Sequence, residues 1–285
     1  MRDNSAADLY LSLLKKCLSR AIFDEQLIEY RPNVSDRRPF LKPAYHILKS
    51  LLGSRQLVIA RSEGSYKEQR LRGESWPLAA ETMIGTKRLD NIQMLATNVV
   101  LKKIPGDFIE TGVWRGGAVI LMRAVLKAYG VTDRTVYVAD SFCGLPAPDH
   151  NRYPADLGLN LHEFDFLRVS LDEVKSNFAK YDLLDDQVKF LVGWFKDTLP
   201  TASISKLALM RLDGDLYEST MDSLRALYYR LSVGGYCIID DFGYIPACRQ
   251  AVTDFRSEHG ITEEIVMIDQ SGCFWEKQKD CEIGS

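Results

Sequence analysis

Residues 107–117 read DFIETGVWRGG and residues 134–140 read RTVYVAD, and these two stretches decide the fold. Each contains an apolar run of the length of a buried strand. The first run, over residues 107–113, continues through a glycine-bearing turn into a helical pattern over residues 117–129, and the second run, over residues 134–140, ends at Asp140. Because a strand, a helix and a second strand in succession form a right-handed parallel unit, the two stretches predict the start of a parallel α/β sheet.

The alternation of strand and helix patterns continues towards the end of the chain. Because ligands of such sheets bind beyond the carboxyl ends of the strands, the residues that close each strand are the candidates for function. Including the first two stretches, the pattern predicts an α/β fold with a doubly wound, mostly parallel, Rossmann-like sheet of seven strands. The further apolar runs cover residues 187–192, 206–212, 235–240, 263–268 and 272–276, and the helical patterns cover residues 171–181, 217–231 and 246–259.

The first hundred residues have a different pattern. An amphipathic pattern over residues 5–30 is followed by a proline-bearing connector over 31–43 and a short helix near 44–52. Residues 61–77 are charged and contain glycine, which indicates a loop, and residues 87–102 have helical periodicity. We expect two parts: an N-terminal helical extension or lid over residues 1–104 and a ligand-binding domain over residues 105–285.

Charge and cysteine usage exclude several classes of protein. The formal net charge of −3 gives no general attraction to nucleic acid or to anionic lipid. No apolar run reaches the length of a membrane span, and charged residues interrupt any secretory pattern near the N-terminus. The six cysteines have no metal or redox spacing, which indicates free thiols in a reducing compartment. These features predict a cytoplasmic protein.

The turn after the first strand indicates a bound ligand with positive charge. Gly112 and Gly116 let the backbone approach a ligand, but their spacing differs from the glycine pattern of dinucleotide-binding enzymes. Glu110 lies within this turn, and a carboxylate suits a cation better than a pyrophosphate. The sulfonium and amino groups of S-adenosylmethionine are both cationic. An ordinary strand-to-helix turn is the alternative interpretation.

Two other strand ends fit a nucleoside. Asp140 closes the second strand, where an acid can accept hydrogen bonds from both ribose hydroxyls, although it could instead cap a helix. Gly193, Trp194 and Phe195 follow the third strand and could form a wall of an adenine pocket. Trp194 could equally be a core residue.

Four aspartates follow the fourth and fifth strands. Asp213 and Asp215 follow one strand, Asp240 and Asp241 follow the other, and the fold is expected to bring all four together. Carboxylates that close repel one another unless a cation neutralises them, and an all-oxygen set selects a hard ion such as Mg²⁺ or Ca²⁺. The alternative is that some of these acids are solvated or cap helices, as Asp215 could at the helix predicted over 217–231.

A long polar segment, residues 149–170, separates the second strand from the next helix and is called the lid segment below. Segments of this kind often close over a substrate. It contains His150 and His162, either of which could replace Asp215 as a base. The four histidines of the chain show no metal-ligand spacing.

As a set, the motifs resemble the macrocin O-methyltransferase family, which includes the mycinamicin and novobiocin sugar methyltransferases. The likeness is strong over residues 75–276 and weaker through the N-terminal helices. One departure is Cys143, where the family usually has an acid. The matching stretches are ETMIG (81–85), RLDN (88–91), ETGVWRGG (110–117), VADSF (138–142), GLP (144–146), GWFKDTLP (193–200), RLDGDLYEST (211–220) and IDD (239–241).

The resemblance implies a class I methyltransferase that binds S-adenosylmethionine and Mg²⁺. By that likeness Asp213, Asp240 and Asp241 hold the metal, and Asp215 is the general base. The residues expected to bind the cofactor lie within the matching motifs: Glu110, Thr111, Gly112, Gly116, Asp140, Ser141, Gly193, Trp194, Phe195 and Asp213.

The acceptor implied by the resemblance is a sugar hydroxyl of a natural-product glycoside. A catechol or phenol is the alternative acceptor, and a non-catalytic protein that binds S-adenosylmethionine is the alternative class. A NAD-linked oxidoreductase would need the missing glycine pattern, and a metal-dependent hydrolase would leave Glu110 unexplained. A homo-oligomer is also possible through an apolar face over residues 9–18.

Overall fold

The computed structural model describes most of the chain from residue 67 onward and parts of the segment before it. The predicted connector over residues 31–43 lies outside the described residues, and the described residues of the stretch 44–52 are helical, as predicted. The described residues are 5–23, 27–29, 45, 47–48, 50–52, 57, 59–62 and 67–280.

Helices and strands alternate through the described part of the chain. The strands are β1 (Leu27–Glu29), β2 (Ala60–Ser62), β3 (Asp107–Thr111), β4 (Val136–Asp140), β5 (Val188–Val192), β6 (Leu207–Leu212), β7 (Leu231–Ile239), β8 (Val266–Met267) and β9 (Cys273–Glu276). The α-helices are α1 (Ala6–Leu18), α2 (Lys67–Arg72), α3 (Thr86–Leu101), α4 (Gly117–Ala128), α5 (Leu171–Lys180), α6 (Phe195–Thr198), α7 (Tyr217–Leu227) and α8 (Pro246–Glu258).

The main sheet has seven strands in the order β5-β4-β3-β6-β7-β9-β8. The first five strands in this order are parallel, and β9 runs antiparallel to both β7 and β8. This confirms the predicted doubly wound, mostly parallel sheet. The order reverses direction at β3, so the carboxyl ends of β3, β4 and β6 surround the crevice where such sheets bind ligands.

Several element boundaries differ from the predictions. The predicted loop over residues 61–77 is wrong in part, because it contains the end of β2 and the six-residue helix α2. The strand predicted over 107–113 ends at Thr111, since the left-handed backbone of Gly112 (φ +80°) leaves the extended region. The strand predicted over 263–268 is only two residues long, Val266–Met267.

The N-terminal helix shares the core of the sheet. Ser5 caps α1 in a capping box with Asp8, and the buried Leu11, Leu14 and Leu18 join the hydrophobic cluster on one side of the sheet. On α3, the predicted apolar face is buried. Leu9 and Leu13 of α1, at 57% and 51% exposure, face outward rather than into this core.

The structure bears on the sequence predictions about membrane spans and about thiols. No helix of the described residues is long and apolar enough to cross a membrane. The five cysteines within the described residues are free thiols, as predicted: Cys17, Cys143, Cys237, Cys248 and Cys273.

Candidate active site

The end of β3 and the turn after it are hydrogen-bonded to the ends of both neighbouring strands, β4 and β6. Gly112 donates its amide hydrogen to the carbonyl oxygen of Ala139 at 2.9 Å, and Asp213 donates its own to the carbonyl oxygen of Thr111 at 2.9 Å. A Cβ atom at position 112 would lie 1.8 Å from the carbonyl oxygen of Asp213. Glycine is therefore required at residue 112 both for its positive φ and for this close approach.

Replacing Gly112 by alanine is expected to reduce the free energy of unfolding by about 3 kcal/mol or more, because left-handed strain adds to overpacking. The matched control is Gly130→Ala, which also has a positive φ (+66°) but has nothing within 4 Å of the added Cβ. That control should cost only the backbone strain, about 1–2 kcal/mol. Denaturant unfolding measures both, and equal losses would contradict the close approach at Gly112.

A cleft opens at the carboxyl edge of the sheet, above β3, β4 and β5. Its empty space, including the solvent-open mouth, is about 780 Å³. Its walls combine aromatic and apolar side chains with a few acids. The lining residues used below are Met83, Gly112, Trp114, Asp140, Ser141, Leu167, Gly193, Trp194, Phe195, Asp213 and Asp215.

Most of the predicted cofactor-binding residues line this cleft. Three do not: Thr111 is buried beneath the turn, Gly116 packs against α5, and Glu110 faces Arg211 instead. Those that do are Gly112, Asp140, Ser141, Gly193, Trp194, Phe195 and Asp213.

Asp140 is held at the cleft by backbone donors. Its carboxylate accepts hydrogen bonds from the amides of Val113 at 2.8 Å and Phe142 at 2.7 Å. Burial raises the pKa of Asp140, and these hydrogen bonds act against the rise. Because no helix begins at Asp140, the capping interpretation is excluded, and its carboxylate oxygens retain lone pairs for a ligand.

Trp194 belongs to the cleft rather than to the core. The strand β5 ends at Val192, and Trp194 is the residue before the short helix α6. Its side chain is half-buried and lines the cleft, whereas Phe195 lines the cleft and also packs against the hydrophobic core. The side chain of Trp194 therefore forms most of this wall of the predicted adenine pocket.

Three carboxylates meet beyond the ends of β6 and β7. One oxygen from each of Asp213, Asp215 and Asp241 lies within 4.8 Å of the others. Burial and the neighbouring negative charges raise the pKa of Asp215 to about 7 and raise that of Asp241 well above its usual value. Asp241 Oδ2 is buried and has no hydrogen-bond partner among the described residues. These three carboxylates are suited to bind a hard cation.

The fourth aspartate is held by arginines. Arg88 Nη1 of α3 lies 2.6 Å from Asp240 Oδ2, and Arg211 Nη2 of β6 pairs with Asp240 Oδ1. Arg88 also pairs with Asp269 at 3.0 Å. The burial that would raise the pKa of Asp240 is outweighed by the two arginines, so its pKa is lowered. Asp240 thus lies beside the other three acids but outside the trio.

Arg211 is the buried centre of the charged cluster. Its side chain is 2% exposed and pairs with Glu110 and Asp240, and its Nη1 lies 2.9 Å from Asp213 Oδ2. Burial raises the pKa of Glu110 to about 8 even though Arg211 acts in the opposite direction. The structure thus places Arg211 beside Glu110, and Glu110 lines a second, adjoining cleft rather than the first one.

The backbone is strained at the edge of the site. Trp114, Phe142 and Asp215 have φ values of +48°, +55° and +58°, which residues with a Cβ rarely adopt. Such strain persists where the surrounding structure imposes it, and it is common at binding sites. In Asp215 it sets the direction in which the carboxylate leaves the chain.

A second cleft adjoins the first on the side of the charged cluster. Its empty space, including the solvent-open mouth, is about 1050 Å³, and its walls combine aromatic and apolar side chains with the acids. The two clefts share Met83, Trp114, Leu167, Asp213 and Asp215. Two molecules bound in the two clefts would therefore meet beside Asp213 and Asp215. The aromatic and apolar side chains that line the second cleft include Trp76, Leu161, Phe164, Phe166, Leu167 and Tyr244.

Some functional residues were not predicted. Met83 and Trp114 line both clefts, and Arg88 and Arg211 pair with the acids. All four lie inside the motifs that carry the family resemblance, which is the signal that could have identified them. The residue types alone gave no such signal, because an arginine in the sequence is usually a surface residue.

The strand order of this sheet, the cleft at its carboxyl edge and the acid that closes its second strand are the arrangement of a class I methyltransferase. The model of the family described as macrocin O-methyltransferase (TylF) matches residues 7–277, and the chain belongs to this family. The protein is accordingly an S-adenosylmethionine-dependent O-methyltransferase.

Curated relatives cover nearly the whole chain. The chain is 45% identical over 278 residues to a demethyldecarbamoylnovobiocin O-methyltransferase of Streptomyces niveus, covering 97% of this chain and 96% of that protein. It is 44% identical over 281 residues to a mycinamicin III 3''-O-methyltransferase of Micromonospora griseorubida, covering 97% and 99%.

A solved structure supports the fold directly. The O-methyltransferase NovP superposes with a TM-score of 0.81 at 43% identity, over 96% of this chain and 100% of NovP. The calicheamicin methyltransferase CalS11 superposes with a TM-score of 0.55 at 17% identity, covering 87% of this chain and 98% of CalS11, which supports the fold alone.

Proposed function

We propose that this O-methyltransferase moves the methyl group of S-adenosylmethionine to a sugar hydroxyl of a natural-product glycoside, with the help of Mg²⁺. The observation that carries the proposal is the meeting of the two clefts beside Asp213 and Asp215. The relatives named above act, by their names, on demethyldecarbamoylnovobiocin and on mycinamicin III. The aromatic and apolar side chains that line the second cleft suit the apolar faces of a sugar and its aglycone.

The acids divide into two roles. Asp213 and Asp241 belong both to the observed trio and to the ligand set implied by the resemblance, and we assign them to the metal. Asp240, the remaining predicted ligand, is engaged by Arg88 and Arg211 and anchors the cluster. Mg²⁺, when bound, lowers the pKa of a neighbouring hydroxyl and offsets the charge of the acids.

Asp215 is assigned as the general base. It lines both clefts beside Asp213, at the place where a bound methyl donor and a bound acceptor would meet. When its carboxylate accepts the proton of the acceptor hydroxyl, the oxygen attacks the methyl carbon in line with the departing sulfur. Trp114, Met83 and Leu167 line both clefts and would exclude water from this point.

The acceptor class is tested by incubating the enzyme with S-adenosylmethionine, Mg²⁺ and a panel of acceptors. The panel contains demethyldecarbamoylnovobiocin, mycinamicin III and catechol, and mass spectrometry detects the methylated product. We expect methylation of at least one glycoside and none of catechol. Methylation of catechol alone would replace the glycoside proposal by the phenol alternative.

Removing the metal is expected to stop turnover. The affinity of the metal site can be measured separately, without any acceptor. Isothermal titration with Mn²⁺ should show one site that Asp241→Asn weakens by about a hundredfold or more, because the substitution removes a charged ligand. The control is Asp197→Asn, an exposed acid of α6 outside both clefts. Equal affinities of the two variants would contradict the assignment.

The Mn²⁺ affinity should fall as the pH falls. The pKa values of Asp213, Asp215 and Asp241 are raised, so the metal-free trio holds protons near pH 7 that the ion must displace. We expect affinity about tenfold or more higher at pH 8 than at pH 6, with protons released on binding. Measurement of the binding heat in two buffers of different ionisation enthalpy detects this release.

We also propose that the enzyme works in the reducing cytoplasm. The free thiols of the described residues support this location.

A further inference from the structure

Helix α7 lacks a capping side chain of its own. The residue before it, Leu216, is buried and apolar, and it provides no side-chain hydrogen bond to the first turn. The first amides of a helix need an acceptor, which a serine, threonine, aspartate or asparagine at this position usually supplies. In this chain the acceptor comes from far away in sequence.

Asp156 of the lid segment fills this role. Its side chain is 0% exposed, and its two oxygens accept hydrogen bonds from the amides of Tyr217 at 2.6 Å and Glu218 at 3.2 Å. A carboxylate at a helix N-terminus also interacts favourably with the helix dipole. The rings of Tyr153 and Tyr217 lie 5.9 Å apart and reinforce the same contact.

The two sides of this contact belong to different parts of the active site. Asp215 lies two residues before Tyr217 and has its strained, left-handed backbone at the start of the capped turn. On the other side, the chain after Asp156 continues into residues 161–167, of which Leu161, Phe164, Phe166 and Leu167 line the second cleft, where the acceptor is proposed to bind. The indole of Trp114 donates a hydrogen bond to the carbonyl oxygen of Phe166 at 2.8 Å, which holds the far end of residues 161–167.

We propose that Asp156 is a positioning residue that ties the lid segment to helix α7 and thereby holds Asp215 in place. The inference rests on the proposed function, in which Asp215 is the general base and lies beside the two metal ligands, so that its charge also favours the bound ion. The lid over the acceptor and the base then move together, so that a displaced lid also displaces the carboxylate. A helix cap made within α7 itself would provide stability without this connection.

The experiment compares Asp156→Ala with Ser170→Ala, a matched loss of a helix cap. Ser170 is exposed, lies at the other end of the lid segment, and accepts a hydrogen bond from the amide of Glu173 at 3.2 Å at the start of α5. Both variants should lower the melting temperature by a few degrees, since both lose a cap. The readouts that separate them are hydrogen–deuterium exchange and Mn²⁺ affinity.

We expect Asp156→Ala to accelerate exchange about tenfold or more at residues 217–220 and at residues 157–167 together, and to weaken Mn²⁺ binding about tenfold. Ser170→Ala should accelerate exchange only in the first turn of α5 and leave Mn²⁺ affinity unchanged. Asp156→Asn, which keeps one acceptor oxygen, should restore most of the affinity.

Faster exchange of Asp156→Ala at residues 217–220 alone, with the lid segment and Mn²⁺ affinity unchanged, would reduce Asp156 to a simple cap and overturn the proposal. A wild-type enzyme that binds no Mn²⁺ would instead contradict the proposed metal site. In that case the exchange of residues 157–167 still decides whether Asp156 links the lid to α7, because exchange needs no metal.

Discussion

The variant Asp215→Asn is expected to lose about 10²–10⁴-fold in kcat, because the amide cannot take the proton of the acceptor hydroxyl. The affinity for S-adenosylmethionine should change little, since the substitution keeps the shape of the side chain in the cleft. The measurement is turnover with the acceptor that the panel identifies, together with calorimetric binding of the cofactor.

The control for this variant is Asp197→Asn, which removes an exposed charge outside both clefts and should keep normal turnover. A near-normal kcat for Asp215→Asn would show that another group is the base. His162 of the lid segment, whose Nδ1 is buried without a hydrogen-bond partner among the described residues, would then be the next candidate.

The variant Arg211→Met should lose both stability and activity. Removing the arginine leaves Glu110, Asp213 and Asp240 facing one another without their shared partner. Breaking a buried ion pair by removing one partner costs about 3–5 kcal/mol, and denaturant unfolding measures the loss. The stability of Arg211→Lys should lie between that of the wild type and that of Arg211→Met. An ammonium keeps the positive charge but cannot contact three carboxylates as a planar guanidinium does.

Arg123→Met is the matched control for Arg211→Met. Arg123 is also buried, but its partner Asp185, at 2.5 Å, is 36% exposed and can be hydrated when the arginine is lost. The expected cost is smaller, about 1–2 kcal/mol, with no loss of metal binding. A cost for Arg211→Met no larger than for Arg123→Met would contradict its place at the centre of the charged cluster.

Much of the fold could be predicted from strand and helix periodicity. The strands β4 and β6 are mostly apolar, β3 has Phe108 and Ile109 at its centre, and the ends of the three strands are marked by Gly112, Asp140 and Asp213. Shorter elements were less predictable. The two residues of β8 are both exposed and carry little periodic signal, and α2 is too short for a helical repeat to be recognised.

The partners of the acids could not be predicted from local pattern. Asp240 and Asp241 both lie past Ile239, where β7 ends, so strand alternation no longer decides which side each carboxylate faces. The contacts that decide it come from Arg88, 152 positions earlier, and from Arg211 on the neighbouring strand. The cap on α7 likewise comes from Asp156, in a segment without regular periodicity.

The most direct measurement is anomalous diffraction at the manganese edge from crystals grown with Mn²⁺ and S-adenosylhomocysteine. We expect one strong peak between the carboxylates of Asp213 and Asp241, next to Asp215, with the cofactor product in the cleft bounded by Trp194 and Asp140. A crystal that holds the cofactor product but shows no peak at these carboxylates, or a peak elsewhere, would contradict the proposed metal site.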